Sequence, residues 1–195
     1  MKSFEINGTL RQVTGKKDSK KLRGEELVPC VLYGGEENLH FSVPFSDFRG
    51  LVYTPEVFVV NLNLEGKTYQ SILQDMQWHP VEEQLLHVDF LQISESKPIK
   101  IELPVTIKGT AKGTKTGGKL KVNLRKIKVK GLVNNLPNEV IVDVSDLDVA
   151  QSIKVGELHI DGVEFLAAKS NVIATVTVTR ASKAAASATE KGGKK

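Results

Sequence analysis

A single cysteine, Cys30, occurs in the 195 residues, so neither an intrachain disulfide framework nor a thiolate metal cluster is possible. Aromatic residues make up only 6% of the chain against 40% hydrophobic overall, which implies packed but small cores. No apolar run approaches the roughly 18 residues that a membrane-spanning helix needs. The opening Met1-Lys2-Ser3-Phe4-Glu5-Ile6-Asn7-Gly8 also lacks the apolar segment of a signal peptide. These absences predict a soluble, cytoplasmic protein with no membrane association. The four histidines, His40, His79, His87 and His159, are scattered, without helical pairing or a cysteine beside them, so no metal or other cofactor is expected.

What the chain does have is segregated charge on a modest net +4. Residues 9–24 hold six Lys/Arg against one acid, and residues 99–132 hold ten against one. Residues 36–98 reverse the balance with three against ten, as do residues 133–178 with two against seven. Focused basic patches on a nearly neutral protein favour a polyanion partner over a small acidic substrate. The second basic block fits equally well as edge strands protected by lysine.

Read for periodicity, the chain divides near Ser94-Glu95-Ser96-Lys97-Pro98, a polar segment with the character of a linker. Residues 1–93 predict a β-like opening, a short basic helix over 18–24 with an Asp or Ser cap, and strands at 28–33, 39–43, 56–64, 68–76 and 85–93. Phe45, Phe48, Leu51 and Val52 at helical spacing after Pro44 predict the clearest helix. Residues 99–180 read as a second, small β-domain with strands at 101–107, 120–129, 139–144 and 171–178 and helical turns near 149–153 and 155–158. Residues 181–195, rich in Ala and Lys, cannot bury a core and are expected to be disordered.

The stretch from Gln77-Trp78-His79-Pro80 to Leu86-His87-Val88-Asp89-Phe90 carries the most suggestive chemistry. Alternation on a strand sends His87 and Asp89 to one face and Leu86, Val88 and Phe90 to the other. As a catalytic dyad the pair lacks a nucleophile. Glu82-Glu83 sits in a polar loop unsuited to raising a carboxyl pKa, so no enzyme is expected. Gly113-Thr114-Lys115-Thr116-Gly117-Gly118-Lys119 imitates a phosphate-binding loop, but Leu120 stands where magnesium binding needs Ser or Thr, and no helix follows. A mobile glycine-rich loop is the plainer reading there. RNA is the partner that best fits Arg11, the cluster Lys16-Lys17-Asp18-Ser19-Lys20-Lys21-Leu22-Arg23, Tyr33 beside Gly34-Gly35, and the His87/Asp89 edge. Cations bridge phosphates, while Tyr, His and Asp address sugar and base edges. A nucleotide-binding protein using residues 113–119 and a β-sheet protein–protein adaptor stand as the alternatives.

Four runs taken in order carry a resemblance. Gly15-Lys16-Lys17-Asp18-Ser19-Lys20-Lys21-Leu22-Arg23, Val28-Pro29-Cys30-Val31-Leu32-Tyr33-Gly34-Gly35, Gln77-Trp78-His79-Pro80-Val81 and Leu86-His87-Val88-Asp89-Phe90 resemble the bacterial large-subunit ribosomal protein twenty-five family. The second domain and tail resemble its longer form, the general stress protein Ctc type. The resemblance implies a mainly β, non-catalytic protein of the large ribosomal subunit. Its N-terminal antiparallel β-barrel, with one or two short helices, would bind 5S rRNA, and its C-terminal β-domain would contact neighbouring ribosomal material. By position, the resemblance assigns RNA contact or site shaping to Arg11, Lys16, Ser19, Arg23, Tyr33, Gln77, His87 and Asp89. Gly24, where the family often has a second Arg, and the following Glu25-Glu26 shift the expected contact onto Lys20, Lys21 and Arg23.

Overall fold

The computed structural model describes residues 1–94 and 97–179. It separates into two units by internal contacts, Met1–Ile101 with Leu132–Asn138, and Glu102–Gly131 with the chain from Glu139. The expectation of a mainly β chain with a barrel, short helices and a second β part is met. The expected disorder at 181–195 lies outside the described residues.

In the first unit, alternating apolar residues form β1 (Lys2–Leu10), β2 (Leu27–Tyr33), β3 (Leu39–Pro44), β4 (Phe58–Leu64), β5 (Lys67–Trp78) and β6 (Leu85–Gln92). They close a barrel in the order β1-β3-β2-β6-β5-β4. The antiparallel barrel expected from the resemblance is in fact mixed. β1 runs parallel to β4, with Lys2 opposite Phe58, and β2 runs parallel to β6, with Cys30 opposite Val88. Hairpins force antiparallel neighbours, whereas these two seams join strands far apart in sequence, whose relative direction is set by the crossover segments between them. Period-2 alternation turns Val28, Cys30 and Leu32 of β2 and Val60, Leu62 and Leu64 of β4 into the core. Phe90 anchors it, with ring centroids 5.8 Å from Phe41 and 6.4 Å from Phe48.

The helix expected after Pro44 is a 3-10 turn, Phe45–Phe48, running into a single α turn, α2 (Arg49–Val52). Phe48 and Leu51 are buried in the core and Phe45 and Val52 pack partly buried against it, while Gly50 lies so close to the Phe4 ring that a Cβ there would stand 2.9 Å from it. The longest helix in this unit is instead the basic α1 (Lys16–Gly24).

The second unit contains most of β7 (Ile99–Lys108), then α3 (Lys112–Lys115), β8 (Lys119–Val122), β9 (Lys126–Gly131), β10 (Val140–Asp143), β11 (Ser152–Lys154), β12 (Val163–Phe165) and β13 (Val172–Thr177). Two sheets result, ordered β10-β7-β9-β12 and β11-β13-β8. The single strand expected over 120–129 is two strands in different sheets. At the break, the amides of Asn123 and Leu124 both donate to the carbonyl of Ile173, at 2.8 and 3.2 Å. The helical turn expected near 149–153 gives way to β11, because Ala150 takes a positive φ of 68° and Ser152 and Ile153 pair with β13. The three-residue β12 is too short to show a period and was not foreseen.

Candidate nucleic-acid interface

α1 is nine residues long and its buried face is empty, so it cannot be stable by itself. Gly15 starts it at φ 155°, a backbone conformation that side-chain-bearing residues rarely adopt, and no side chain caps it. The Asp or Ser cap expected from the sequence is therefore absent. Asp18 is used elsewhere: its Oδ2 accepts from Arg11 Nη2 at 2.5 Å, and Ser19 Oγ lies 3.5 Å from the same nitrogen. The Arg11 side chain is 10% exposed, and its Nε is buried without a hydrogen-bond partner among the described residues. At the other end of α1, Arg23 Nε donates to the carbonyl of Leu86 at 3.1 Å, and Gln84 Nε2 donates to the carbonyl of Arg23 at 3.3 Å. The two arginines thus fasten the helix to the barrel.

The remaining cations of α1 face outward. Lys16, Lys17 and Lys20 are exposed and have no ion-pair partner among the described residues. Lys21 stands 3.8 Å from Glu25 in an exposed pair, which contributes little.

Leu86 explains how β6 meets this helix. Trp78 pairs with Leu85 and Gln77 with His87, so Leu86 is an extra residue in a bulge. Leu85, not Leu86, joins Val88 and Phe90 in the core, which corrects the face assigned to Leu86 from simple alternation. The bulge also leaves the Leu86 carbonyl free for Arg23.

Beyond the bulge, register sets the outward row. His87 faces Gln77, Asp89 faces both Asp75 on β5 and Val31 on β2, and Tyr33 faces Leu91. His87 Nδ1 donates to Asp89 Oδ1 at 2.7 Å, since an ionised carboxylate can only accept. That bond leaves Nε2 as the ring nitrogen available to a ligand. Burial raises the Tyr33 phenol above its ordinary value, and the charges of Asp89 and Asp75 raise it further. Burial likewise pushes the Cys30 thiol up, with Arg11 opposing and Asp89 reinforcing the shift. That thiol is an inert core group.

Sequence reasoning missed Asp75. A second bulge, between Leu73 and Asp75, brings it opposite Asp89, and its Oδ1 accepts from the Met76 amide at 2.8 Å. Like charges directly across a strand pair are unfavourable, so the two carboxylates together suit a ligand rich in hydrogen-bond donors. Nothing within either local motif signals this pairing. It follows only from the register of strands whose sequences are separated by the turn around Pro80.

Residues 113–119 do not form a nucleotide site. The Gly113 amide donates to the Leu147 carbonyl at 2.8 Å, and the Gly118 amide donates to the Gly113 carbonyl at 2.8 Å. Amides that would cradle phosphate are committed internally. The short α3 contains Gly113 and precedes Gly117 and Gly118, and β8 rather than a helix follows. The loose loop expected here is a packed turn, in which a Cβ on Gly113 would meet the Val149 nitrogen at 2.6 Å.

These features define a class: a two-unit β-protein whose barrel carries a cationic helix beside a row of hydrogen-bonding side chains. Comparison with known proteins narrows it. Residues 6–90 match the model of the Ribosomal L25p family, and residues 98–180 match that of the ribosomal protein TL5 C-terminal domain. The large ribosomal subunit protein bL25 of Azobacteroides pseudotrichonymphae genomovar. CFP2 is 48% identical, over 96% of this chain and 100% of the relative. Those of Phocaeicola vulgatus and Bacteroides fragilis are 49% and 46% identical, over 95% and 98% of this chain and 98% and 100% of their own. The chain belongs to the ribosomal L25p family.

Proposed function

We propose that the chain is a structural protein of the large ribosomal subunit in the cytoplasm, binding 5S rRNA through its barrel. The observation that carries this reading is the juxtaposition on one outer face of α1 with the row Tyr33, Gln77, His87 and Asp89, joined by the Arg23 bond to the bulge at Leu86. Lys16, Lys20 and Lys21 supply phosphate contacts, in which point charges suffice. Arg11 and Ser19 hold the start of the helix, and Arg23 holds its end, so their contribution to RNA includes placing those lysines. Asp89 is repelled by phosphate and is placed instead to accept from base donors such as guanine amino groups, with His87 orienting it. Tyr33 offers a ring for stacking or a hydroxyl for the sugar. The second unit contacts neighbouring ribosomal material.

The test is a gel shift of the full chain against 5S rRNA beside an unrelated duplex RNA, with Asp89→Ala as the variant. Preference for 5S rRNA is expected in the parent. Asp89→Ala is expected to lose about 1–3 kcal/mol of it, the scale of one base contact, with an unchanged melt. Equal binding of both RNAs by the parent sinks the reading. Partner capture that survives ribonuclease favours the protein–protein adaptor instead.

A further inference from the structure

The second unit contains two kinds of lysine. On β9, Lys128 Nζ lies 3.5 Å from Glu102 on the adjoining β7, and Lys130 Nζ lies 3.5 Å from Glu164 on β12. On β8, Lys119 and Lys121 are exposed and have no ion-pair partner among the described residues. The pairing register puts Lys119 opposite Thr177 and Lys121 opposite Thr175, and Thr175 in turn opposite Ser152 of β11. Residues directly opposite share a face of the sheet. Two ammonium groups and the hydroxyls of Thr175 and Ser152 therefore form one patch, with Thr177 Oγ1 donating to the Lys119 carbonyl at 3.0 Å, while Leu120 and Val176 turn to the other side. β8, β11 and β13 contain no acidic residue.

We propose that this face of the three-stranded sheet is a second RNA-contact surface, taking a phosphate backbone without reading sequence. Ammonium and hydroxyl groups donate to phosphate oxygens and carry no base information. The patch is bounded on one side: Ser152 borders a cleft that Asp143, Asp146 and Glu157 also line, and those carboxylates repel a polyanion. The contact is thus confined to the β8 side, where β8 is the edge of its sheet. Lysines on an edge can serve only to prevent strand pairing, and the experiment must separate that role from RNA contact. The inference does not depend on the barrel's binding 5S rRNA.

The experiment titrates the full chain with a short duplex RNA of arbitrary sequence, in a background of Lys16→Gln and Lys20→Gln that weakens the barrel's contribution. Adding Lys119→Gln with Lys121→Gln is expected to reduce the slope of log K against log salt by roughly 2, about one per phosphate contact. Lys119→Arg with Lys121→Arg should keep the slope, and Lys128→Gln with Lys130→Gln should change it little. Should the Gln pair fail to melt cooperatively, acetylation of the parent chain reads the same contact, with Lys119 and Lys121 protected when duplex is added. An unchanged slope, equal acetylation with and without RNA, or binding of polyglutamate in place of RNA overturns the proposal. A parallel titration with 5S rRNA keeps the two readings apart: the Lys119/Lys121 variant should retain its preference for that RNA whatever happens to duplex binding.

Discussion

Lys16, Lys17 and Lys20 on α1 project without an acidic partner among the described residues, whereas Lys128 and Lys130 on β9 each have a glutamate 3.5 Å away on an adjoining strand. In the sequence both segments look alike, with six cations to one acid in residues 9–24 and ten to one in residues 99–132. The difference arises in the fold. The one acid of the first segment, Asp18, is taken by Arg11, which releases the lysines. The glutamates that answer β9 come from either side of it in the sequence, Glu102 and Glu164. Local charge density therefore locates candidate surfaces, and the fold decides which cations have an acid beside them. The β9 pairs are exposed, so their glutamates lower the local positive potential without sequestering the lysines.

The comparison between the two units is broken most severely by Val88→Asp. Val88 is fully buried in the barrel core, and an unpaired carboxylate there should cost on the order of 4 kcal/mol. A thermal melt should lose the barrel transition while the methyl resonances of Ile127 and Val142 in the second unit persist. Collapse of both sets shows that the units do not stand independently. Next in size, Gly113→Ala should destabilise the second unit by about 1–3 kcal/mol, because the new methyl would meet the backbone of Asp148 and Val149 at 2.7 and 2.6 Å. Wild-type stability in a denaturant titration would return residues 113–119 to the status of a loose loop.

The lysine contrast is sharpened directly by salt titration against 5S rRNA. Lys16→Gln with Lys20→Gln should flatten the slope by roughly 2, and Lys128→Gln with Lys130→Gln should leave it nearly unchanged. The smallest expected effect lies at Tyr33. Its phenol is neutral when protonated, so a folded pKa above the ordinary value means that the fold favours the proton-bound form. Its contribution to stability is present below the ordinary tyrosine range and is lost as pH rises through the elevated value. Asp89→Asn should move the Tyr33 ring titration downward in NMR spectra. No movement would place Asp89 farther from Tyr33 than the β2–β6 register implies.

Much of this is legible in the sequence because period-2 alternation in β4 and β6 is strong, with Val60, Leu62 and Leu64 alternating with Asn61 and Asn63. β2 is instead readable as a strand from its continuous apolar run, in which Pro29 is buried too. The four ordered motifs likewise pointed to α1, Tyr33, Gln77, His87 and Asp89, which the fold gathers on one outer surface. What escaped the sequence depends on pairing at a distance. The bulges at Leu86 and beside Asp75 shift single residues without any local signature, and the parallel seams arise only when the barrel closes. The stretch expected to be helical after Pro44 is helical over 45–52, with Phe48 and Leu51 buried and Phe45 and Val52 partly buried against the same core. It departs from the expectation only in opening as a 3-10 turn.

Those parallel seams also govern when the protein can fold during its own synthesis. Residue 2 must wait for residue 58, and residue 30 for residue 88, before either seam forms. At the usual elongation rate of about 5–20 residues per second, β1 and β2 spend several seconds with one flank unpaired. Barrel closure is a late, long-range event, of the kind that slows folding relative to a hairpin-only sheet. The ribosome making this chain must therefore carry an open, apolar half-barrel through most of the synthesis of its first unit.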